Sequence, residues 1–344
     1  MADAKERTTG RRARPIARRA RADASTTKAA PPKAASNDTA DAKVSAEEVS
    51  EGMFSITRGV EATDPYLKIL IYGEYGAGKT TFAASAVDVP AMNDVLFVNS
   101  ERGTASIDKA VKDDGTQLIK KSDNIDFMTI SSYPEFAKIY KFLLSHSRAR
   151  DDGDDELTDD INEKYFGSGA KGRRYKTVII DSLSDIDLQN FNRLMGVNAT
   201  DLMRDPQKAE WTDYSRNTTA MTSILSEFRK LKMNVIMVAP SEVREEKQKR
   251  FSNTFPVLVG SSRDKVKGYF DVVGYLEEID PTEEDEDEVG KKKRRRSASN
   301  VAHTINRRLW LRKKDGVYAK SRITPDDVPF LDNVTMADIY KYAK

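Results

Sequence analysis

The sequence predicts an α/β fold: a mostly parallel, twisted sheet with helices on both faces and a β-hairpin near the C-terminus. Three observations predict it. Short runs rich in Val, Ile and Leu alternate with amphipathic stretches through the middle of the chain, a glycine-rich loop joins the first run to a helical stretch, and a later run ends in aspartate. Parallel strands covered by helices on both faces read as unbroken apolar runs, whereas a half-solvated sheet alternates.

Residues 1–60 read as a disordered tail. The first 50 contain no aromatic residue, and Arg11, Arg12, Arg14, Arg18, Arg19 and Arg21 cluster early. Such a segment buries too little apolar surface to offset its ordering entropy. Its arginines suit nucleic-acid phosphates as well as a plain solvated tail. The core is expected over 61–280. Its strands are 66–72 (YLKILIY), 95–99 (VLFVN), 127–130, 177–180 (TVII) and 234–239 (NVIMVA); helices are expected at 79–85, 133–145 and 217–231. A charged insertion at about 150–172, Asp-rich over 151–163 and followed by Gly167-Ser168-Gly169, reads as a mobile surface loop. A second charged loop spans 281–300, acidic over 283–288 and basic over 291–296, and the two blocks can neutralise each other. The final part, 301–344, is expected to complete the core with a hairpin around Lys314-Asp315-Gly316 and a short helix.

Composition narrows the chemistry. Among 344 residues there is no Cys and there are two His, His146 and His303, both read as surface residues. Disulfides, thiolate metal sites, Cys nucleophiles and a Ser-His-Asp triad are thereby set aside. Lys and Arg number 57 against 55 Asp and Glu, so the net charge of +2 conceals blocks of opposite sign. No apolar run reaches the ~18 residues of a membrane span, and no signal-peptide core opens the chain, so a soluble, cytoplasmic protein without membrane partners is expected.

The sharpest signal is Gly73-Glu74-Tyr75-Gly76-Ala77-Gly78-Lys79-Thr80, which satisfies G-x-x-x-x-G-K-[ST] between a strand and a helix. Glycines let the backbone curl so that successive N–H groups face an anion, and the helix start adds partial positive charge. These eight residues with Thr81 are the expected nucleotide cradle. Lys79 is assigned to the β and γ phosphates, and the Thr80 hydroxyl to Mg²⁺. The strand 177–180 runs into Asp181, the form of a Walker B segment, so Asp181 is expected to hold the magnesium through water. ATP and Mg²⁺ are the cofactors this pattern calls for.

A third acid, Glu101, follows the strand 95–99 and Ser100. Here the sequence resembles the RecA-like branch of P-loop ATPases, in which a Glu just past the second strand activates the attacking water; the resemblance makes Glu101 the general base. Farther on, Trp211 with its helical stretch, the strand 234–239, FPVLVG at 255–260 and YFDVVGYL at 269–276 make the order similar to phage-encoded RecA-like ATPases of single-strand annealing and recombination, the Sak-four type. The likeness covers 62–325 without the two insertions. That family usually ends the strand at 234–239 in a polar sensor, often His; Pro240-Ser241-Glu242 stands here instead, leaving Ser241 or Glu242 as γ-phosphate sensor. The triplet Lys320-Ser321-Arg322 is similar to the trans-acting K-x-R of DnaB and RadA relatives, where both cations reach a neighbouring subunit's γ phosphate. Alternation along a strand puts both on one face.

The resemblance implies a RecA-like P-loop NTPase acting on single-stranded DNA, a homo-oligomer in ring or filament form, single-strand-binding or replication proteins as partners, and a host cytoplasm. For nucleic acid the sequence offers Arg244, Lys247, Lys249 and Arg250 with Phe251 or Phe255 to stack on bases; a helix with a charged face is the competing reading. The loop 196–207 is poorer in base, and Trp211 is read as a packing residue. A DnaB-like helicase motor and a non-motor ATP switch for a DNA-coating assembly are the rival functions. A small-molecule kinase leaves Glu101 and the K-x-R without a place.

Overall fold

Among the described residues, six apolar runs form the parallel part of the sheet: β1 Lys68–Gly73, β2 Val95–Asn99, β3 Ile125–Thr129, β4 Thr177–Asp181, β5 Asn234–Glu245 and β7 Val272–Ile279. Antiparallel pairs are added by β6 Ser252–Pro256, β8 Asn306–Trp310, β9 Lys320–Ser321 and β10 Phe330–Asp332. The helices are α1 Lys79–Ala84, α2 Tyr133–Asp151, α3 Asp155–Phe166, α4 Leu183–Leu194, α5 Trp211–Arg229, α6 Ser262–Val266 and α7 Met336–Tyr340. The structure is a computed structural model that describes residues 65–101, 124–197, 208–245, 252–279, 306–314 and 316–343. The N-terminal tail, the acidic-basic loop at 281–300, and His303 lie outside them.

The strand order is β10-β8-β7-β1-β5-β4-β2-β3, with β6 on β5 and β9 on β7. The expected α/β class, mostly parallel with helices on both faces, is the observed one. Period-two alternation divides the core in two. Leu70 and Tyr72 of β1 face one cluster, packed with Phe136 and Phe142 of α2, Ile186 of α4 and Phe228 of α5. Ile69 and Ile71 face the other, with Phe82 and Ala83 of α1 and Met336 and Ile339 of α7. The α7 start is fastened to the segment after α1, where Met336 N donates to Ser85 Oγ at 2.8 Å. Lys68, buried at the start of β1, donates through Nζ to Leu231 O (3.0 Å) and Met233 O (2.8 Å), so its charge is solvated by carbonyls.

Several local readings change. The charged stretch at 151–163 is not a loop: most of it forms α3. Asp154 caps that helix by accepting from Leu157 N at 2.9 Å, and Asp155 and Glu156 occupy its first turn, where acids favour the helix dipole. Its acids are matched from outside, Asp155 and Asp159 by Arg174 and Glu163 by Lys171. His146 is not a surface residue. It is fully buried on α2 between Phe142 and Tyr175, its Nδ1 2.8 Å from Asn162 Oδ1 of α3, and burial pushes its pKa down to about 4. β3 ends the strand order, and its outer residues, Phe127 among them, are partly exposed. The expected C-terminal turn is present: Lys314 and Val317 exchange N–H···O bonds across it. Its arms then part, β8 pairing with both β7 and β10 while β9 pairs with the first residues of β7.

One buried acid ties two helices to the segment between β6 and α6. Asp187 of α4 accepts from Asn217 Nδ2 of α5 at 2.6 Å and from Val259 N at 2.5 Å, and burial raises its pKa from 3.8 to about 6. The sign follows from linkage. A folded-state pKa above the unfolded one gives stability that is complete below pH 3.8 and lost as pH rises through about 6. Relative to Asp187→Asn, wild-type stability should therefore fall by up to about 3 kcal/mol between pH 4 and pH 7. Urea unfolding of both proteins at the two pH values measures the difference; a difference that stays flat contradicts the assignment.

Candidate nucleotide site

The phosphate loop begins where β1 ends. Gly73 must be glycine because β7 runs close beside it: a methyl group there would sit 2.0 Å from Leu276 O. Gly78, immediately before α1, holds φ 87°, the left-handed region that an L side chain resists. The loop thus turns sharply into α1, which starts at Lys79. Lys79 is 9% exposed; its Nζ donates to Glu74 O at 2.7 Å and lies 5.7 Å from the Tyr75 ring centroid. Burial lowers its pKa, while the charges of Asp181, Glu101 and Glu74 pull it back up. Tyr75 itself is 78% exposed at the top of the loop.

β4 delivers Asp181 to the same spot. Thr80 Oγ1 donates to Asp181 Oδ2 at 2.6 Å, so the residues assigned to the metal are in direct contact. Burial raises the Asp181 pKa to about 6; Thr80 and Lys79 act against the rise, and Glu101 and Asp185 add to it. β2 delivers Glu101, whose negative charge acts on Lys79, Asp181 and Asp185. The residue before it is locked: Ser100 N donates to Asp181 O at 2.7 Å, and Ser100 Oγ accepts from Ser182 N at 2.8 Å. Ser100 and Asp185 escaped sequence reasoning, because a Ser after a strand and an acid in a helix's first turn have common local explanations.

Among the described residues no group of three or more His, Asp or Glu is placed to hold a metal alone. The donor set does fit Mg²⁺ carried with phosphates: one hydroxyl, one buried carboxylate whose ionisation calls for a cation, and phosphate oxygens for the remaining positions. The same pocket fits ATP, because Lys79 and the turned backbone together suit a chain of phosphates.

A family model for the AAA domain matches residues 66–323, from just before β1 to just past Arg322. The chain belongs to the AAA-domain family. Its mostly parallel sheet, with the glycine-rich loop joining β1 to α1, is the α/β arrangement of a P-loop NTPase. The AAA domain is similar over 73% of this chain and 84% of that chain to the crystal structure of the RadB recombinase, at 14% identity and a TM-score of 0.35. No curated protein matches it.

Other expected site residues are more scattered in the AAA domain. Ser241 and Glu242 follow Pro240, which pairs with Gly73, so both stand beside the loop's start. Each is engaged elsewhere: Ser241 bonds Tyr275, and Glu242 ion-pairs with Arg244 (2.7 Å) and Arg263 (3.5 Å). Lys320 and Arg322 lie at the opposite end of the sheet. Lys320 pairs with Val273 and Ser321 with Val272, while Arg322 ion-pairs with Asp271 at 3.0 Å. Lys320 is level with Leu70 and Arg322 with Lys68, three and five residues short of Gly73 along β1, about 10 and 16 Å, so neither cation serves its own loop. Burial and the neighbouring Arg322 charge both lower the Lys320 pKa, as expected for two cations on one side.

The described ends of the basic stretch 242–255 are strand and not helix: on β5 and β6, Arg244 pairs with Asn253 and Val243 with Thr254. Arg244 and Val243 are exposed there; Lys247, Lys249, Arg250 and Phe251 lie outside the described residues. Phe255 is partly buried and covered by Lys267, whose Nζ is 4.6 Å from its ring centroid. Trp211 is no packing residue. It opens α5 at 81% exposure, while Tyr214 takes the packing role against Phe191. A neighbouring cleft of about 450 Å³ is lined by Lys208 and Arg216 together with Glu210 and Asp213. Among the described residues no helix is long and apolar enough to cross a membrane.

Proposed function

We propose that the chain binds ATP with Mg²⁺, hydrolyses it, and couples turnover to single-stranded DNA in recombination or annealing as a homo-oligomer. The observation that carries the reading is the meeting of three strand ends at one point: the Lys79 loop from β1, Asp181 in contact with Thr80 from β4, and Glu101 from β2. When bound, magnesium supplies positive charge against the β and γ phosphates. Lys79 exchanges its loop carbonyl for phosphate oxygens, and Glu101 takes a proton from the water that attacks the γ phosphorus. The bond from that phosphorus to the bridging oxygen breaks, and ADP leaves.

The exposed indole of Trp211, with the cations Lys208 and Arg216 on the same surface and Arg244 on the arm of β5, supports DNA as the partner, since a free aromatic beside cations suits unpaired bases. The test is ATPase rate with and without single-stranded DNA. Stimulation is expected in wild type and should weaken in Trp211→Ala, whose fold is left intact because the ring is solvent-exposed. A rate indifferent to DNA contradicts the coupling.

The position of Lys320 and Arg322, far from their own loop, supports an intersubunit role. Mixing Lys79→Ala with Arg322→Ala protein should restore partial activity, because some interfaces then combine an intact loop with an intact K-x-R. No recovery in mixtures shown to co-assemble contradicts it.

A further inference from the structure

Arg307 has no role in the reading above, yet it touches the phosphate loop. A methyl group on Gly78 would lie 2.6 Å from Arg307 Nε and 2.9 Å from Cζ, so the guanidinium is packed directly on that glycine. Its Nε is buried and has no hydrogen-bond partner among the described residues. An arginine held with a buried donor unmatched invites an acceptor.

The register explains how it arrives there. Leu309 stands level with Gly73, because Leu276 pairs with both. Leu309 belongs to the cluster on the α1 side of the sheet, and Arg307, two residues away on β8, shares that side just past the strand ends. The main chain fixes it: Arg307 N donates to Asn333 Oδ1 at 3.0 Å, and Asn333 N donates to Arg307 O at 2.7 Å. Asp181 and Glu101 come from β4 and β2, on the other side of β1 from β8. A nucleotide with its terminal phosphate at Thr80 and Asp181 therefore runs toward Arg307 with its α phosphate and ribose.

We infer that Arg307 is a nucleotide-binding residue, a second cation in cis that holds the α-phosphate end and contacts nothing of the γ phosphate. This rests on the ATP site proposed above. The geometry also explains why position 78 is glycine beyond its backbone angle, since any side chain would displace the guanidinium.

The test is equilibrium binding of ATP and of ADP, each with magnesium, to the full chain as wild type, Arg307→Ala and Arg307→Lys. Arg307→Ala should lose about tenfold or more in affinity for both nucleotides by the same factor, as removal of a charge-assisted contact does, with Arg307→Lys between. Both bonds to Asn333 use the main chain of Arg307, so β8 keeps its place in both variants. A loss confined to ATP overturns the inference by moving the contact to the γ phosphate, and unchanged affinity for both overturns it outright. Wild-type protein that binds neither nucleotide overturns the ATP site itself, a result distinct from either.

Discussion

Lys79→Ala protein is expected to hydrolyse ATP about 100- to 1000-fold more slowly than wild type, the scale lost when one preorganised donor to a developing oxyanion is removed. The expectation follows from where the ammonium group sits. Lys79 is 9% exposed, and its bond partner is a loop carbonyl, Glu74 O. A neutral carbonyl is a poor match for a buried cation, so a phosphate oxygen in its place strengthens the interaction. The fold should tolerate the change, because the truncated side chain leaves the Gly73 contact with β7 and the Thr80–Asp181 bond untouched. Steady-state phosphate release measures the rate, with circular dichroism to show that the variant is folded. A variant that keeps a tenth of wild-type activity removes Lys79 from the phosphates.

Glu101→Gln protein is expected to keep nucleotide affinity and to lose about 100- to 10,000-fold in turnover, the range for a missing general base. The amide is nearly isosteric but accepts no proton. Removing this carboxylate also lightens the negative cluster at Asp181 and Asp185, since Glu101 helps raise both their pKa values. Thr80 and Asp181, the residues assigned to magnesium, are untouched, and the eased ionisation of Asp181 offsets the lost charge, so magnesium affinity should change little, which separates loss of the base from loss of the metal. Single-turnover kinetics with separately measured ATP affinity checks it. Loss of binding in step with rate would place Glu101 in the nucleotide cradle and not at the attacking water.

Much of the site was legible because its parts sit at the ends of fully buried strands. KILIYG, VLFVN and TVIID are buried along their whole length, and each hands its next residues to the same edge of the sheet. An apolar run followed by a polar or glycine-rich break marks that edge directly in sequence. What stayed hidden depends on contacts between segments far apart in the chain. The acids of α3 look like a solvated loop until Arg174 is placed beside Asp155 and Asp159. His146 looks exposed until α3 covers it. Trp211 looks like a core residue because large aromatics usually are, but Tyr214 three residues on takes the packing position and leaves the indole outside. Beyond Pro240 the β5 strand leaves its parallel partners and continues as a polar hairpin arm, which lacks the apolar run that marks a buried strand. Arg307 is one basic residue among many in sequence; only the strand register brings it to Gly78.

The account turns on an anion pocket at Gly73 to Thr80 that takes the phosphates of a nucleoside triphosphate. Calorimetric titration of Mg-ATP into the purified full chain measures this most directly. Saturable binding at one site per chain, abolished or severely weakened in Lys79→Ala, is the predicted result. Folded wild-type protein that gives no binding with ATP or GTP at millimolar concentration, or that binds no better than Lys79→Ala, would contradict it.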